Sequence, residues 1–247
     1  MTAVCLPQVV QAQEAAGKIQ TERPDQTESV KLIPRRSFQL EAGYQFQKNS
    51  TEGFEAKMHA YPSALLRFGM LDWLEMRLQV AVKDSIITNG SRRKLTGYGP
   101  ISMGTKVRLW EQQGWRPRAA LLLMVALPVA SRAFRPKYPE PEVRLALANQ
   151  LTDRIELAYN LMYARIEGNN EAGYNLALYG DLNDKITAFA EVFGSKAETE
   201  EAEHQADAGI MFFPRPNLQL DMAAGVGFNK AAPDYFLAAG LALRLPR

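Results

Sequence analysis

The chain has 247 residues, 47% hydrophobic and 23% charged, a balance that excludes an intrinsically disordered protein. Its net charge of +2 supplies no general attraction to nucleic acid, and its single cysteine, Cys5, rules out an internal disulfide or a thiolate metal site. No apolar run reaches the roughly 18 residues of a helical membrane span. A membrane β-barrel stays open, because only every second residue of its strands must face lipid.

The first residues, Ala3 to Glu14, read as the end of a secretory signal, with Val10-Gln11-Ala12 as a small-residue cleavage site. Residues 1–13 are assigned to that remnant, whose true start is expected to lie further upstream. An untargeted N-terminus is the alternative. A lipid-anchored Cys5 is disfavoured, since Thr2-Ala3-Val4 makes a poor lipobox. Residues 14–35 are polar and aperiodic and contain Pro24 and Pro34, so they form an irregular segment. It is either a plug, with Arg23 and Asp25 pairing against barrel walls, or a periplasmic tail.

From residue 36 to 247 the pattern changes to period two. Phe38, Leu40, Ala42, Tyr44 and Phe46 alternate with Gln39, Glu41, Gly43, Gln45 and Gln47, which predicts a strand with one apolar face. A polar loop is expected near 47–57. Leu66 and Phe68 then alternate with Leu65 and Arg67, and Leu74, Met76, Leu78 and Val80 with Glu75, Arg77 and Gln79. A longer loop is predicted over Asp84–Gly97, followed by strands at 101–109 and 116–127 and a proline-rich loop to Pro141. Seven further alternating segments complete the chain, the last at 235–245. Turns of one type recur: Leu71-Asp72-Trp73, Leu151-Thr152-Asp153-Arg154, Asn183-Asp184-Lys185 and Pro216-Asn217. Their spacing makes the hairpin the repeating unit.

A soluble sandwich also alternates. Three features favour a barrel. The strands are near ten residues, as a tilted membrane strand requires. Short turns alternate with longer loops, and charge is confined to one face. Aromatics near strand ends, among them Trp73, Trp110, Trp115, Tyr163 and Tyr235, suit interfacial girdles. The fold class expected is therefore all-β: a single antiparallel up-and-down transmembrane β-barrel of about twelve strands.

Several stretches resemble a known family. Arg23-Pro24-Asp25-Gln26-Thr27-Glu28-Ser29, Phe38-Gln39-Leu40-Glu41-Ala42-Gly43-Tyr44, Leu65-Leu66-Arg67-Phe68-Gly69, Asn217-Leu218-Gln219-Leu220-Asp221 and Ala232-Pro233-Asp234-Tyr235-Phe236 are similar to the outer-membrane family named after the meta-pathway of phenol degradation. The resemblance runs from about residue 21 to 245. It implies a Gram-negative outer-membrane barrel transporting small aromatic or other hydrophobic compounds, and it brings no binding residues. One departure is the ending Leu243-Arg244-Leu245-Pro246-Arg247, which lacks the terminal aromatic that the barrel-insertion machinery reads.

With the apolar face outside, the lumen would carry Arg67, Arg77, Lys83, Lys106, Arg108, Arg118 and Arg144 from the first half. The second half would supply Glu156, Asp181, Glu191, Asp207 and Asp221; Glu41, Glu75, Glu142 and Arg244 break the rule. A basic wall would then face an acidic one. Such a lumen is either an open pore with a transverse field or a salt-bridged interior. The passive channel is the first reading, with diffusion through the lumen or lateral exit. A non-conducting structural barrel and a barrel hydrolase are the alternatives. The hydrolase reading rests on His204 near Ser195, Glu203 and Asp207, without a nucleophile elbow; no catalytic residue, metal or cofactor is assigned. Gly225-Val226-Gly227 lies in a strand and is no phosphate loop. Arg92-Arg93-Lys94 either meets lipopolysaccharide phosphates or is a solvated loop. The partners expected are outer-membrane lipids, a small-molecule solute and, during assembly, the insertion machinery.

Overall fold

A computed structural model describes residues 18–246. The signal-sequence reading, Cys5 and residues 14–17 lie outside them. The described chain folds into one antiparallel sheet of thirteen strands. In order they are β1 (Phe38–Thr51), β2 (Phe54–Leu71), β3 (Leu74–Asn89), β4 (Ser91–Tyr98), β5 (Ser102–Trp110), β6 (Arg118–Ala126), β7 (Glu140–Thr152), β8 (Ile155–Ile166), β9 (Asn169–Asn183), β10 (Ile186–Ala197), β11 (Glu203–Arg215), β12 (Leu218–Gly227) and β13 (Tyr235–Leu245). β13 pairs with β1, and β2 with β3, so the sheet closes on itself and leaves no full-length edge.

Twelve strands form the wall. β4 is an addition: it pairs with the upper part of β3 from Val82 to Asn89, while β5 pairs with the lower part from Leu74 to Gln79. Together they act as one long strand broken at residues 99–101. The predicted loop over Asp84–Gly97 is thus a hairpin turning at Gly90, whose φ of +67° suits glycine. The loop predicted near 47–57 is likewise strand, interrupted only by Glu52-Gly53. Both errors have one cause. Above the membrane both strand faces are wet, so the apolar half of the alternation disappears while the backbone ladder continues. Strand lengths accordingly range from 8 to 18 residues rather than clustering near ten.

The apolar rows do face outward. Leu66, Leu161, Leu178, Met222 and Leu237 are exposed, whereas Gln39, Glu41, Arg67, Glu75, Lys106 and Gln219 are buried inside. Asp72, Asp153, Asp184 and Asn217 all sit in turns at the end where β1 begins and β13 finishes. That end is periplasmic by the usual asymmetry of short turns and long loops.

Candidate functional site: a charged lumen and the segment inside it

Residues 18–35 run up through the lumen and back to its rim, where Pro34 and Arg35 are exposed. The segment enters at the periplasmic rim, where the Ile19 amide donates to the Pro216 carbonyl at 2.7 Å. It climbs to Asp25 and Gln26 and descends to Pro34, beside Gly69. A Cβ on Gly69 would collide with the Pro34 carbonyl, so glycine is required for this approach. The inner surfaces of β6, β7 and β8 present Ala120, Ala146, Ala148 and Ala158, leaving space into which Val30 and Leu32 pack. Ile19 packs against Phe189, Met211, Phe213 and Ala242 on the other side.

Charge is matched wall by wall. Two acids of the segment meet the basic wall: Glu22 lies 3.0 Å from Arg67 and 2.5 Å from Lys106, and Glu28 lies 2.7 Å from Arg77. Asp25, expected to pair with a wall as Arg23 does, instead lies on the acidic side against Tyr179. The segment's bases meet the acidic wall, with Lys18 at 2.9 Å from Asp181, Arg23 at 3.1 Å from Asp221 and Lys31 at 3.1 Å from Glu156. Arg67 is the hub. Its guanidinium donates to Glu75 at 2.7 and 2.8 Å, to Glu41 at 2.9 Å and to the Gln20 and Lys31 carbonyls at 2.9 and 3.2 Å. All three of these charged side chains are fully buried.

Backbone groups of the segment are also satisfied by the wall, as a buried chain without secondary structure requires. Glu191 accepts from the Gln26 amide at 2.6 Å and the Thr27 hydroxyl at 2.6 Å, and Asn160 Oδ1 from the Glu28 amide at 2.7 Å. Arg144 donates to the Gln26 carbonyl at 3.1 Å, and the Tyr179 hydroxyl donates to Asp25. Arg23 fits beside Gly43 and Gly240, which are paired across β1 and β13; a side chain on either would displace its guanidinium.

The remaining predicted residues are placed differently. Arg108 and Arg118 both pair with Glu111 at the periplasmic rim, at 3.3 and 2.8 Å. Lys83 lies high in the lumen beside Gly99. Asp207 is buried and packs beneath Gly225, whose missing side chain leaves room for the Phe236 ring. Sequence reasoning missed Glu22, Glu28, Lys18 and Lys31 on the segment and Asn160, Tyr179 and Gln219 on the wall. The two histidines lie on the outer face. His59 shares a 2.8 Å hydrogen bond with Tyr44, and His204 a 3.0 Å bond with Tyr174.

Cavities flank the segment. On the outer side a cavity of about 370 Å³ is floored by Arg23, Gln26 and Glu28, with walls including Gln45, Leu65, Arg77, Met124 and Arg144. On the periplasmic side lie one of about 130 Å³, reaching Tyr179 and Asp181, and one of about 380 Å³ between Leu32, Arg108 and Arg118.

The sequence pattern of the family described as MetA-pathway of phenol degradation matches residues 21–245. The chain belongs to that family. Among solved structures, an outer membrane channel from Pseudomonas putida F1 matches with a TM-score of 0.70 at 10% identity, over 88% of this chain and 98% of that one. The translocator domain of the autotransporter NalP from Neisseria meningitidis gives 0.56 at 13% identity, covering 85% and 89%. The KdgM porin gives 0.55 at 9% identity, covering 83% and 98%. No curated protein matches in sequence. At these identities the likeness is one of fold, and this member of the phenol-degradation family is a β-barrel of the bacterial outer-membrane type.

Proposed function

We propose that the protein is a passive outer-membrane channel for small aromatic solutes, closed in this state by residues 18–35. The observation that carries the reading is the position of the segment. It is an irregular loop, doubled back on itself, between a cavity open toward the outside and two that open toward the periplasm. Moving one element joins them into a path.

The outer cavity supports the solute class. Leu65, Leu122 and Met124 offer apolar surface next to the guanidinium groups of Arg77 and Arg144. A single aromatic ring bearing a hydroxyl or carboxylate satisfies both, with the ring on the aliphatic side and the oxygen on arginine. Every wall strand is hydrogen-bonded on both sides, so passage runs along the lumen rather than sideways into lipid.

The experiment is uptake of benzoate and of a neutral sugar of similar size into liposomes holding the refolded protein. Benzoate is expected to enter several-fold faster, and Arg144→Gln to remove most of that difference. Equal rates for the two solutes would refute the solute class. No uptake of either would leave the second reading, a structural barrel, which the fully buried Arg67–Glu41–Glu75 network favours.

A further inference from the structure

β2 and β3, flanked by β1 and β4, rise well above the adjoining β5 and β6: β2 has 18 residues and β3 has 16, against 9 in both β5 and β6. The outward face of this raised wall is ordered in rows by the strand register. Tyr44, Tyr61 and Tyr98 form an exposed aromatic row on the lipid side, at the level where such residues mark the edge of the apolar band. Four residues further along β1, Lys48 is paired with Lys57, and Lys57 with Ile86, which is paired with Lys94. Arg92 lies one step higher, opposite Thr88. Four residues along a strand tilted by roughly 40° advance about 10 Å along the barrel axis. The cations therefore stand at the depth of the lipid headgroups, directly above the tyrosines.

The ion pairing leaves charge over. Lys48 and Lys57 share one carboxylate, Glu55, at 3.2 and 2.8 Å, and Lys94 pairs with Asp84 at 2.8 Å. Arg92 forms no ion pair among the described residues. Asp234, held by Ser50, and Glu52, exposed in the β1–β2 turn, are the acids at the upper edge of the patch, and neither forms an ion pair with its four cations among the described residues. The opposite side of the same rim is different in kind: Glu198, Glu200, Glu201 and Glu203 crowd the β10–β11 connection. Anionic headgroups are repelled there and drawn to the β1–β4 face, where lysine ammonium groups act as point charges for phosphate.

We propose that the outward face of β1–β4, through Lys48, Lys57, Lys94 and Arg92, binds the phosphate groups of a phosphorylated glycolipid of the outer leaflet. The sugar headgroup rests above the tyrosine row and the acyl chains lie against the apolar wall below it. The site is on the outside of the barrel, so it is independent of whether the lumen conducts.

The test is native mass spectrometry of the full chain in detergent titrated with diphosphoryl lipid A, monophosphoryl lipid A and uncharged diacylglycerol. Lys48→Gln/Lys57→Gln/Arg92→Gln alters only exposed or half-exposed side chains. It is expected to lower diphosphoryl lipid A binding at least five-fold, and monophosphoryl binding less. Arg165→Gln/Lys196→Gln/Lys230→Gln removes the same charge elsewhere on the rim and is expected to leave binding unchanged. Equal loss in both triple variants would reduce the effect to net charge and overturn the site. Equal binding of diacylglycerol, or displacement of lipid A by inorganic phosphate at matching concentration, would overturn the glycolipid assignment. Retained heat-modifiable migration on gels shows that each variant is folded.

Discussion

Arg67 illustrates how one residue can hold an interior together. Its guanidinium is planar and fixed in charge, and it bridges two strands of the wall to two carbonyls of the inserted segment. Replacing it by leucine would leave Glu41 buried without a cationic partner and Glu75 with only the more distant Arg77, a loss of about 3–5 kcal/mol. The expected outcome for Arg67→Leu is a clearly lower temperature for loss of the compact form in SDS, with Arg67→Lys falling between the two. Identical transitions for all three proteins would show that the hub is dispensable. Arg67 was legible as a lumen residue because it breaks an otherwise apolar strand at the right parity. Its partners Glu22 and Lys31 were not. They lie in an aperiodic stretch, where nothing in the spacing says which way a side chain points, and their contacts exist only once the barrel has closed. The one hint was that acids and bases intermingle from Lys18 to Lys31.

At the level of elements, the alternation that named most strands also hid one. β4 carries Ser91, Arg92, Arg93 and Lys94 with no apolar row, and only its pairing with β3 makes it a strand. It is fastened on the outer face by Lys94, which is 2.8 Å from Asp84; Asp84 also accepts from the Tyr61 hydroxyl at 2.6 Å. The Asp84 carboxylate holds the Lys94 ammonium above the ordinary lysine pKa. A group whose pKa is raised on folding stabilises below its unfolded value and ceases to as pH climbs through the folded one. The hairpin is therefore expected to keep its amide protection at neutral pH and to show it weakened beyond about 10.5, before the lower part of β3 does. Hydrogen exchange measured at a series of alkaline pH values reads this out, and simultaneous loss in both halves of β3 would contradict it. The hairpins at Asp72, Asp153, Asp184 and Asn217 were readable because their turn chemistry is local.

For the molecule as a whole, the division of charge between the two halves of the sequence becomes two facing walls, and the inserted segment, Asp25 excepted, sets acids against the basic one and bases against the acidic one. Neutralising its acids should loosen it from the basic wall alone. Glu22→Gln/Glu28→Gln is expected to raise the open probability in planar bilayers by about an order of magnitude and to make the opened lumen anion-selective, since Arg77 and Lys106 then lose their closest carboxylates. An unchanged current record would mean that the segment is no barrier or never leaves. Its path through the barrel bears on this. It goes in at the rim near Pro216, turns back at Asp25 and Gln26, and returns to the same rim at Gly69. A bight of rope pushed into a pipe from one end has this topology. It can be drawn out without any chain end having to pass through the wall, and only toward the periplasm. The structure is therefore polarised along its axis, a valve seated from below, on which a solute arriving from outside presses in the direction of release and one arriving from the periplasm presses toward closure.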